Sequence, residues 1–172
     1  VRGIRNTPII AWLTPLHENF EEALNLDIDL AIPSIAHLKA IEKVGKKLNK
    51  RPRVHIEIDT GMTRGGLLDE WPEFLTAIKS AEVEVVGAWT HFARADEPES
   101  DFTETQVKDF ERKLTELKSV GITPKYVHLS NSAATINFKS AHKNIVRLGI
   151  AMYGLSPDVN TMGTSEKLSL QP

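Results

Sequence analysis

The feature that most constrains this fold is a regular alternation of short apolar runs and amphipathic segments along 172 residues. The apolar runs are rich in β-branched residues and are mostly bounded by Pro, Gly, Asn or Asp, as strands are. They lie at 9–13, 28–32, 54–58, 83–89, 126–129 and 145–150. Parallel strands that are covered on both faces have such continuous apolar sequences. The alternation therefore predicts an α/β fold with a parallel sheet and helices outside it.

Four segments between these runs have the spacing of helices that bury one face. Ser34 is placed to cap one of them, Pro72 fits the first turn of another, and Asp101 is placed to cap a third. A shorter helix is expected at 18–24. The apolar positions that define the inward face of the helix after Ser34 are Ile35, Leu38, Ile41, Val44 and Leu48.

Composition excludes several classes of protein. No apolar run reaches the roughly 18 residues that a membrane span needs. Residues 1–7 contain two arginines and no apolar core, so we expect no signal peptide. The absence of cysteine excludes disulfides, thiolate metal sites and cysteine nucleophiles. A formal net charge of −2 argues against a nucleic-acid-binding protein.

The common catalytic motifs are also missing. The six histidines show no metal-ligand spacing, so we expect no metal site. No G-x-S-x-G motif indicates a serine hydrolase, and neither a P-loop nor G-x-G-x-x-G indicates nucleotide binding.

The predicted strand at 54–58 departs from the apolar pattern. His55, Glu57 and Asp59 alternate with apolar residues, and side chains two apart share one face of a strand. With helices on one side of the sheet, this polar row faces either solvent or the interior of a barrel. A carboxylate inside a barrel needs a cationic or hydrogen-bonding partner.

Polar residues also follow four of the predicted strands, at the edge where parallel α/β folds bind ligands. Arg64 and His91 each have a plain alternative, as a solvated surface charge and as a core histidine. Ser132 is either a helix N-cap or part of an anion site. Arg147 is the most informative, because an arginine within an apolar run needs a partner. The backbone N–H groups at 131–132 and 149–150 come from consecutive loops and suit a phosphate group.

Four motifs in this order resemble the alanine racemase family. They are I-D-T-G-M-T-R at 58–64, T-H-F-A-R-A-D-E-P at 90–98, S-N-S-A-A at 130–134 and V-R-L-G-I-A-M-Y-G-L-S-P at 146–157. The resemblance implies an N-terminal (β/α)8 TIM-type barrel that binds pyridoxal 5′-phosphate (PLP), and a homodimer completed by a C-terminal β domain. It implies a cytoplasmic enzyme that interconverts L- and D-alanine and supplies D-alanine for peptidoglycan.

The resemblance also implies roles for individual residues around the cofactor. Ser132 and the backbone N–H groups of Gly149 and Ile150 would hold its phosphate, and Asn131 would support that loop. The ring would meet two further side chains, with Arg147 bonded to the pyridine nitrogen and His91 beside the ring, where it would also buttress Arg147. An arginine cannot accept the ring proton, which suits a reaction that must return the substrate proton.

On the substrate side, the resemblance assigns the substrate carboxylate and the phenolic oxygen of the cofactor to Arg64. Many members of the family have a lysine, often carbamylated, where this chain has Glu57. We expect Glu57, already an anion, to orient Arg64 directly or through water. Asp59, Met62 and Tyr153 are expected to have supporting roles.

Two residues that the family needs are expected to lie outside this chain. The Schiff-base lysine belongs to a K-A-N-A-Y-G-type motif that does not occur here, and the catalytic tyrosine belongs to the C-terminal domain. We therefore expect strands 3–8 of the barrel in residues 1–157 and a connector toward the β domain in 158–172. A typical barrel needs ~250 residues. Alone, this chain should be inactive and should need the rest of the protein, or a partner, for stability.

Two alternatives remain open from the sequence. The chain could belong to a non-catalytic PLP-binding barrel protein. It could also belong to a related racemase or decarboxylase with another amino-acid substrate.

Overall fold

The structure is a computed structural model that describes residues 7–171. It contains one parallel sheet whose five strands pair in chain order and curve into a half-barrel. The predicted α/β class and the barrel architecture are confirmed. The strands are β1 (Ile10–Ala11), β2 (Asp29–Ile32), β3 (Arg53–Glu57), β4 (Glu84–Trp89) and β5 (Tyr126–His128).

Helices follow the strands and cover the convex face of the sheet. They are α1 (Phe20–Asn25), α2 (Ile35–Leu48), α3 (Trp71–Ile78), α4 (Phe102–Ser119) and α5 (Ser132–Asn137). Two short 3-10 turns follow, at Lys139–Ala141 and Ile150–Tyr153. No helix in residues 7–171 is long and apolar enough to cross a membrane.

Local signals place most helix starts correctly. The Ser34 hydroxyl accepts a hydrogen bond from the backbone N–H of His37, as the sequence predicts, and Pro72 lies in the first turn of α3. The expected cap at Asp101 is wrong in detail. Asp101 precedes α4, but its side chain makes no capping bond, and Ser100 accepts the N–H of Phe102 instead.

The two faces of the sheet have different chemistry because side chains alternate along each strand. Apolar residues such as Ile32, Ile56 and Ala88 face the helices and are fully buried. The concave face has the polar row of β3, with His55 and Glu57 at 0% and 4% exposure. The row therefore faces the interior of the half-barrel, which decides the alternative left open by the sequence.

The sixth predicted strand, at 145–150, is not a strand. Arg147 donates its backbone N–H to the carbonyl of Ser130, and Asn144 donates to Val127, so this segment runs beside β5. Within residues 7–171, no further strand pairs with its other edge. The chain then turns into the 3-10 segment at Ile150–Tyr153, and a sheet of five strands replaces the expected six.

Residues 158–171 form turns that pack against the barrel. Met162 is buried in the main core, and Leu168 packs against that core. Ser156 fixes the start of the segment, since its hydroxyl donates to the carbonyl of Gly163 and its N–H donates to Ser165. The role of this segment as a connector stays a prediction.

A substitution at Gly87 tests the packing of the concave face. In β4, a Cβ at this position would lie 1.9 Å from Nδ1 of His55. We expect Gly87→Ala to lower the free energy of unfolding by about 3 kcal/mol, as overpacking does. Gly65→Ala is the control, because its nearest neighbour would be 3.7 Å away. Equal stability of the two variants in urea denaturation would contradict this packing.

Candidate active site

A cavity of about 430 Å³ opens at the carboxyl ends of β4 and β5. All six residues that were expected to bind the cofactor line it, although they come from three separate motifs. Met62, which the sequence gave a supporting role, lines it as well. The residues of the six-member set are His91, Asn131, Ser132, Arg147, Gly149 and Ile150.

Arg147 is the most firmly held side chain of the cavity. Its Nη1 donates to Nδ1 (2.9 Å) and the carbonyl (2.7 Å) of His128. Its Nη2 donates to the carbonyls of Thr90 (2.7 Å) and Leu129 (3.1 Å). A guanidinium has five N–H donors, so these bonds leave Nε–H. That group is buried and has no partner within residues 7–171.

The acceptors of Arg147 extend into a chain of side chains across the concave face. Because Nδ1 of His128 accepts from Arg147, the proton of this imidazole is on Nε2, which is 2.9 Å from Nδ1 of His55. The proton of His55 is then on Nε2, which lies 3.5 Å from Oδ2 of Asp29. The hydrogen bond from Arg147 thereby fixes the tautomers of two buried histidines, and the Nε2–H of His55 faces Asp29 without a hydrogen bond in residues 7–171.

Electrostatics agree with this assignment. Burial, followed by the positive charge of Arg147 and the nearby His55, lowers the pKa of His128 to about 2. Burial also lowers the pKa of Arg147 to about 10, so that it stays cationic at neutral pH. Burial alone would raise the pKa of Asp29, but hydrogen bonds from His55 and Arg53 outweigh it and lower the value. Arg53 closes the chain, with Nε 2.6 Å from Oδ1 of Asp29.

Two tryptophans border Arg147 that the sequence analysis did not assign to the site. Their rings stack with centroids 5.3 Å apart, and Cζ of Arg147 lies 5.1 Å from Trp12 and 4.9 Å from Trp89. Trp12 lines the cavity and Trp89 is buried. Both lie within predicted strands, and an aromatic residue at the end of a strand was the only signal of their role.

Ser132 connects the two loops that were expected to hold a phosphate. Its hydroxyl accepts the N–H groups of Gly149 (2.8 Å) and Ala151 (3.3 Å). The helix cap is Asn131, whose Oδ1 accepts the N–H of Ala134 (3.0 Å), while Ser132 is the first residue of α5. The prediction that Ser132 is the N-cap of this helix is therefore wrong. Its hydroxyl makes no capping bond, and Ser132 lines the cavity.

Glu57 is a buried carboxylate in the field of two arginines. Burial raises its pKa to about 7, although the charges of Arg64 and Arg147 oppose the shift. Arg64 itself is exposed, and no hydrogen bond joins it to Glu57 in the described part of the chain. The predicted orientation of Arg64 by direct contact is therefore absent, and electrostatic attraction links the two.

Asp59 shapes the loop that carries Arg64. One of its carboxylate oxygens accepts the N–H groups of Gly61 (2.8 Å) and Thr63 (3.1 Å). Gly66 lies in the left-handed region, where a Cβ would come within 2.7 Å of the backbone nitrogen of Asp59. The loop is thus closed tightly on the end of β3, and Arg64, which it carries, is exposed and does not line the cavity.

His91 and Tyr153 have contrasting environments. Burial, with the charges of Arg147 and Arg64, lowers the pKa of His91 to about 4, so this imidazole is neutral at physiological pH. Tyr153 is 68% exposed at the end of its 3-10 turn. It does not line the cavity, and its supporting role stays a prediction.

Comparisons with known proteins agree with the resemblance. A family model described as the N-terminal domain of alanine racemase matches residues 2–157. The chain is 42% identical over 159 residues to an alanine racemase of Salinispora tropica, covering 87% of this chain and 42% of that protein. It is 37% identical over 172 residues to alanine racemase 1 of Oceanobacillus iheyensis, covering 98% and 45%.

Solved structures show the same likeness. Alanine racemase from a D-cycloserine-producing Streptomyces lavendulae matches with a TM-score of 0.94 and 32% identity, over 99% of this chain and 45% of that chain. A Clostridium difficile alanine racemase in complex with cycloserine matches with a TM-score of 0.84 and 30% identity, over 96% and 46%. The chain spans less than half the length of these relatives.

The neutral state of His128 gives a testable dependence of stability on pH. Its pKa is 6.5 in the unfolded chain and about 2 in the fold, so the unfolded state binds the extra proton between these values. The free energy of unfolding should therefore fall as pH is lowered below 6.5, by about 1.4 kcal/mol per pH unit for this group.

Urea denaturation at several pH values measures this slope. In His128→Gln, the amide can replace both hydrogen bonds of the imidazole but does not titrate. The slope of the unfolding free energy against pH should therefore fall by about 1.4 kcal/mol per pH unit. His17→Gln, at an exposed position, is the control. An unchanged slope in His128→Gln would contradict the neutral state assigned to His128.

Proposed function

This chain belongs to the alanine racemase N-terminal domain family, and on that premise we propose that it forms the PLP-binding site of an enzyme that interconverts L- and D-alanine. The observation that carries the proposal is the state of Arg147. It is a cation held by four hydrogen bonds, with one buried donor left over, in a cavity shared with Ser132 and the 149–151 loop.

The residues of the cavity fit this cofactor. Its volume of about 430 Å³ lies within the range of small-molecule sites, ~300–1,000 Å³. The unpartnered Nε–H of Arg147 suits a ring nitrogen that accepts a hydrogen bond. The hydroxyl proton of Ser132 and the backbone N–H of Ile150 would hold the phosphate, the N–H of Gly149 would first have to exchange its bond to Ser132, and Asn131 would keep that loop in place. When bound, PLP supplies an electron-withdrawing ring that makes the α-proton of an amino acid removable.

Arg147 acts by keeping a fixed positive charge that neither gives nor takes a proton. Three backbone carbonyls and His128 prevent its guanidinium from moving. A guanidinium has no acceptor atom, so it cannot remove a proton from a partner. Arg147 would therefore donate a hydrogen bond to the ring nitrogen of bound PLP without protonating it, which would weaken the electron withdrawal that the cofactor supplies and favour return of the proton.

Arg64 and Glu57 form the substrate side in this proposal. Arg64 is free of hydrogen-bonded partners in the part of the chain that the structure describes, so its guanidinium can bind the substrate carboxylate in a bidentate manner. Glu57 attracts Arg64 toward the cavity only when it is ionised. We assign proton transfer to no residue of this chain.

The wider setting follows from the family. We propose a cytoplasmic homodimer that supplies D-alanine for peptidoglycan, with residues 1–157 as the barrel portion and 158–172 as a connector to a β domain. These statements rest on the likeness to alanine racemases, since no partner chain is present in the structure.

Racemisation of L-alanine by the full-length protein with added PLP tests the proposal. Arg147→Ala and Arg64→Ala should each lower activity by about 10²-fold or more, because each removes a charge that acts at the reacting centre. Arg94→Ala is the matched control, since Arg94 is exposed and pairs with Glu97. Activity that survives both site variants, or is lost equally in Arg94→Ala, would contradict the proposal. Preference for serine or another amino acid would revise only the substrate.

Loss of the Ser132 hydroxyl should weaken cofactor binding. We expect Ser132→Ala to raise the PLP dissociation constant by about tenfold, which corresponds to one charge-assisted hydrogen bond. Absorbance titration of the cofactor-free full-length protein measures it. Ser119→Ala, at the far end of α4, is the control. Equal affinity of both variants would exclude Ser132 from the phosphate site.

Glu57 should make substrate binding depend on pH near neutrality. Because its pKa is about 7, it loses its negative charge as pH falls below that value, and the attraction for Arg64 is lost with it. The KM for alanine should therefore rise below pH 7 in the wild type. In Glu57→Gln the KM should be raised at every pH, without that step. Unchanged KM and an unchanged position of Arg64 in Glu57→Gln would overturn this role.

A further inference from the structure

A single buried amide joins the loops that carry the two sides of the site. Gln106 lies on the inward face of α4 and is fully buried. Its Oε1 accepts the N–H of Ala93 (3.0 Å). Its Nε2 donates to Oγ1 of Thr60 (3.0 Å) and to the carbonyl of His91 (3.1 Å). One acceptor and both donors of the amide are thereby used, on two different loops.

Both loops lead directly to residues of the proposed site. Thr60 belongs to the loop after β3 and lies four residues before Arg64. Its hydroxyl is 2.8 Å from that of Thr90, whose carbonyl accepts a hydrogen bond from Arg147. His91 lines the cavity. Gln106 is thus bonded to the base of the Arg64 loop and to the turn at His91–Ala93.

Packing of the buried face of α4 does not by itself require a polar residue at position 106. Thr103 lies one turn earlier on the same face, is also fully buried, and its hydroxyl has no partner in residues 7–171. Phe110 and Leu117 on that face are apolar, while Lys113, also buried, donates to the carbonyl of Asp59. A buried amide that satisfies all its bonds at two loops therefore has a specific function beyond filling the core.

We propose that Gln106 is a positioning residue, which sets the spacing between the Arg64 loop and the turn at His91–Ala93. This inference rests on the proposed function, because it assigns substrate binding to Arg64. Without the amide, the hydroxyls of Thr60 and Thr90 still join the two loops, but the backbone ladder ends at the bond from Ile58 to Trp89, and the bonds that fix both loops to α4 through Gln106 are lost. Arg64 would then approach the cavity from a shifted loop, and alanine would bind less tightly.

The cofactor phosphate should be affected far less. The bonds from Gly149 and Ala151 to Ser132 involve no atom of Gln106. The turn at His91–Ala93 reaches that loop through a long bond from Nδ2 of Asn131 to the carbonyl of Phe92 (3.4 Å), so the effect on cofactor binding should be smaller than the effect on substrate binding. A larger effect on substrate binding than on cofactor binding would therefore indicate lost positioning of Arg64, whereas general damage to the fold would weaken both.

The variants are Gln106→Met, Thr60→Val and the control Thr103→Val, each in the full-length protein. Gln106→Met should raise the KM for alanine by about tenfold or more, as small misplacements in active sites do. Its PLP dissociation constant should change by less than about twofold. Thr60→Val cuts the bonds from the Arg64 loop to both Gln106 and Thr90, and it should reproduce the effect on KM even if Gln106→Met folds poorly. Thr103→Val should change neither constant.

Hydrogen exchange without cofactor tests the link independently of catalysis. Gln106→Met should accelerate exchange at Ala93 together with Gly61 and Thr63, whereas Thr60→Val should accelerate only the latter two. Acceleration at Ala93 alone, or an unchanged KM in both variants, would overturn the proposal. If the wild-type protein binds no PLP, the proposed function fails, and the exchange pattern alone decides whether Gln106 joins the loops.

Discussion

The burial of one guanidinium is the constraint on which the rest of this structure depends. Arg147 is a cation inside a half-barrel, where an unpaired charge would be very costly. Three carbonyls from two strand ends and the imidazole of His128 surround it. These acceptors can converge only if β4 and β5 end at the same level, so the register of the sheet and the position of the arginine stabilise each other.

The need for acceptors around Arg147 also constrains the side chains at the far end of the concave face. His128 can accept from Arg147 only as a neutral imidazole with its proton on Nε2, and His55 must then take the matching tautomer toward Asp29. A row of polar side chains thus replaces the apolar filling that barrel interiors usually have. The cost of burying it is partly offset by hydrogen bonds, although Nε of Arg147 and Nε2 of His55 have no partner in residues 7–171, and the benefit is an arginine with one defined orientation.

Sequence reasoning succeeded where the signal was local or periodic. The alternation of strands and helices, the cap at Ser34 and the polar row at His55 and Glu57 were all readable, and the resemblance identified the residues that line the cavity. Arg147 was recognised because a charge in an apolar run needs partners. The prediction of a strand around Arg147 is wrong, because its apolar composition suits a sheet but a strand forms only where its backbone pairs with a neighbour.

What the sequence could not show is which distant residues share a bond. Asp29, Trp12 and Gln106 look like ordinary strand and helix residues, and their roles depend on the register of neighbouring elements.

The most direct test of the account is the ¹⁵N chemical shift of labelled pyridoxal phosphate bound to the full-length protein. An unprotonated ring nitrogen at neutral pH is predicted, because Arg147 cannot accept its proton. A protonated nitrogen would contradict the central role of Arg147.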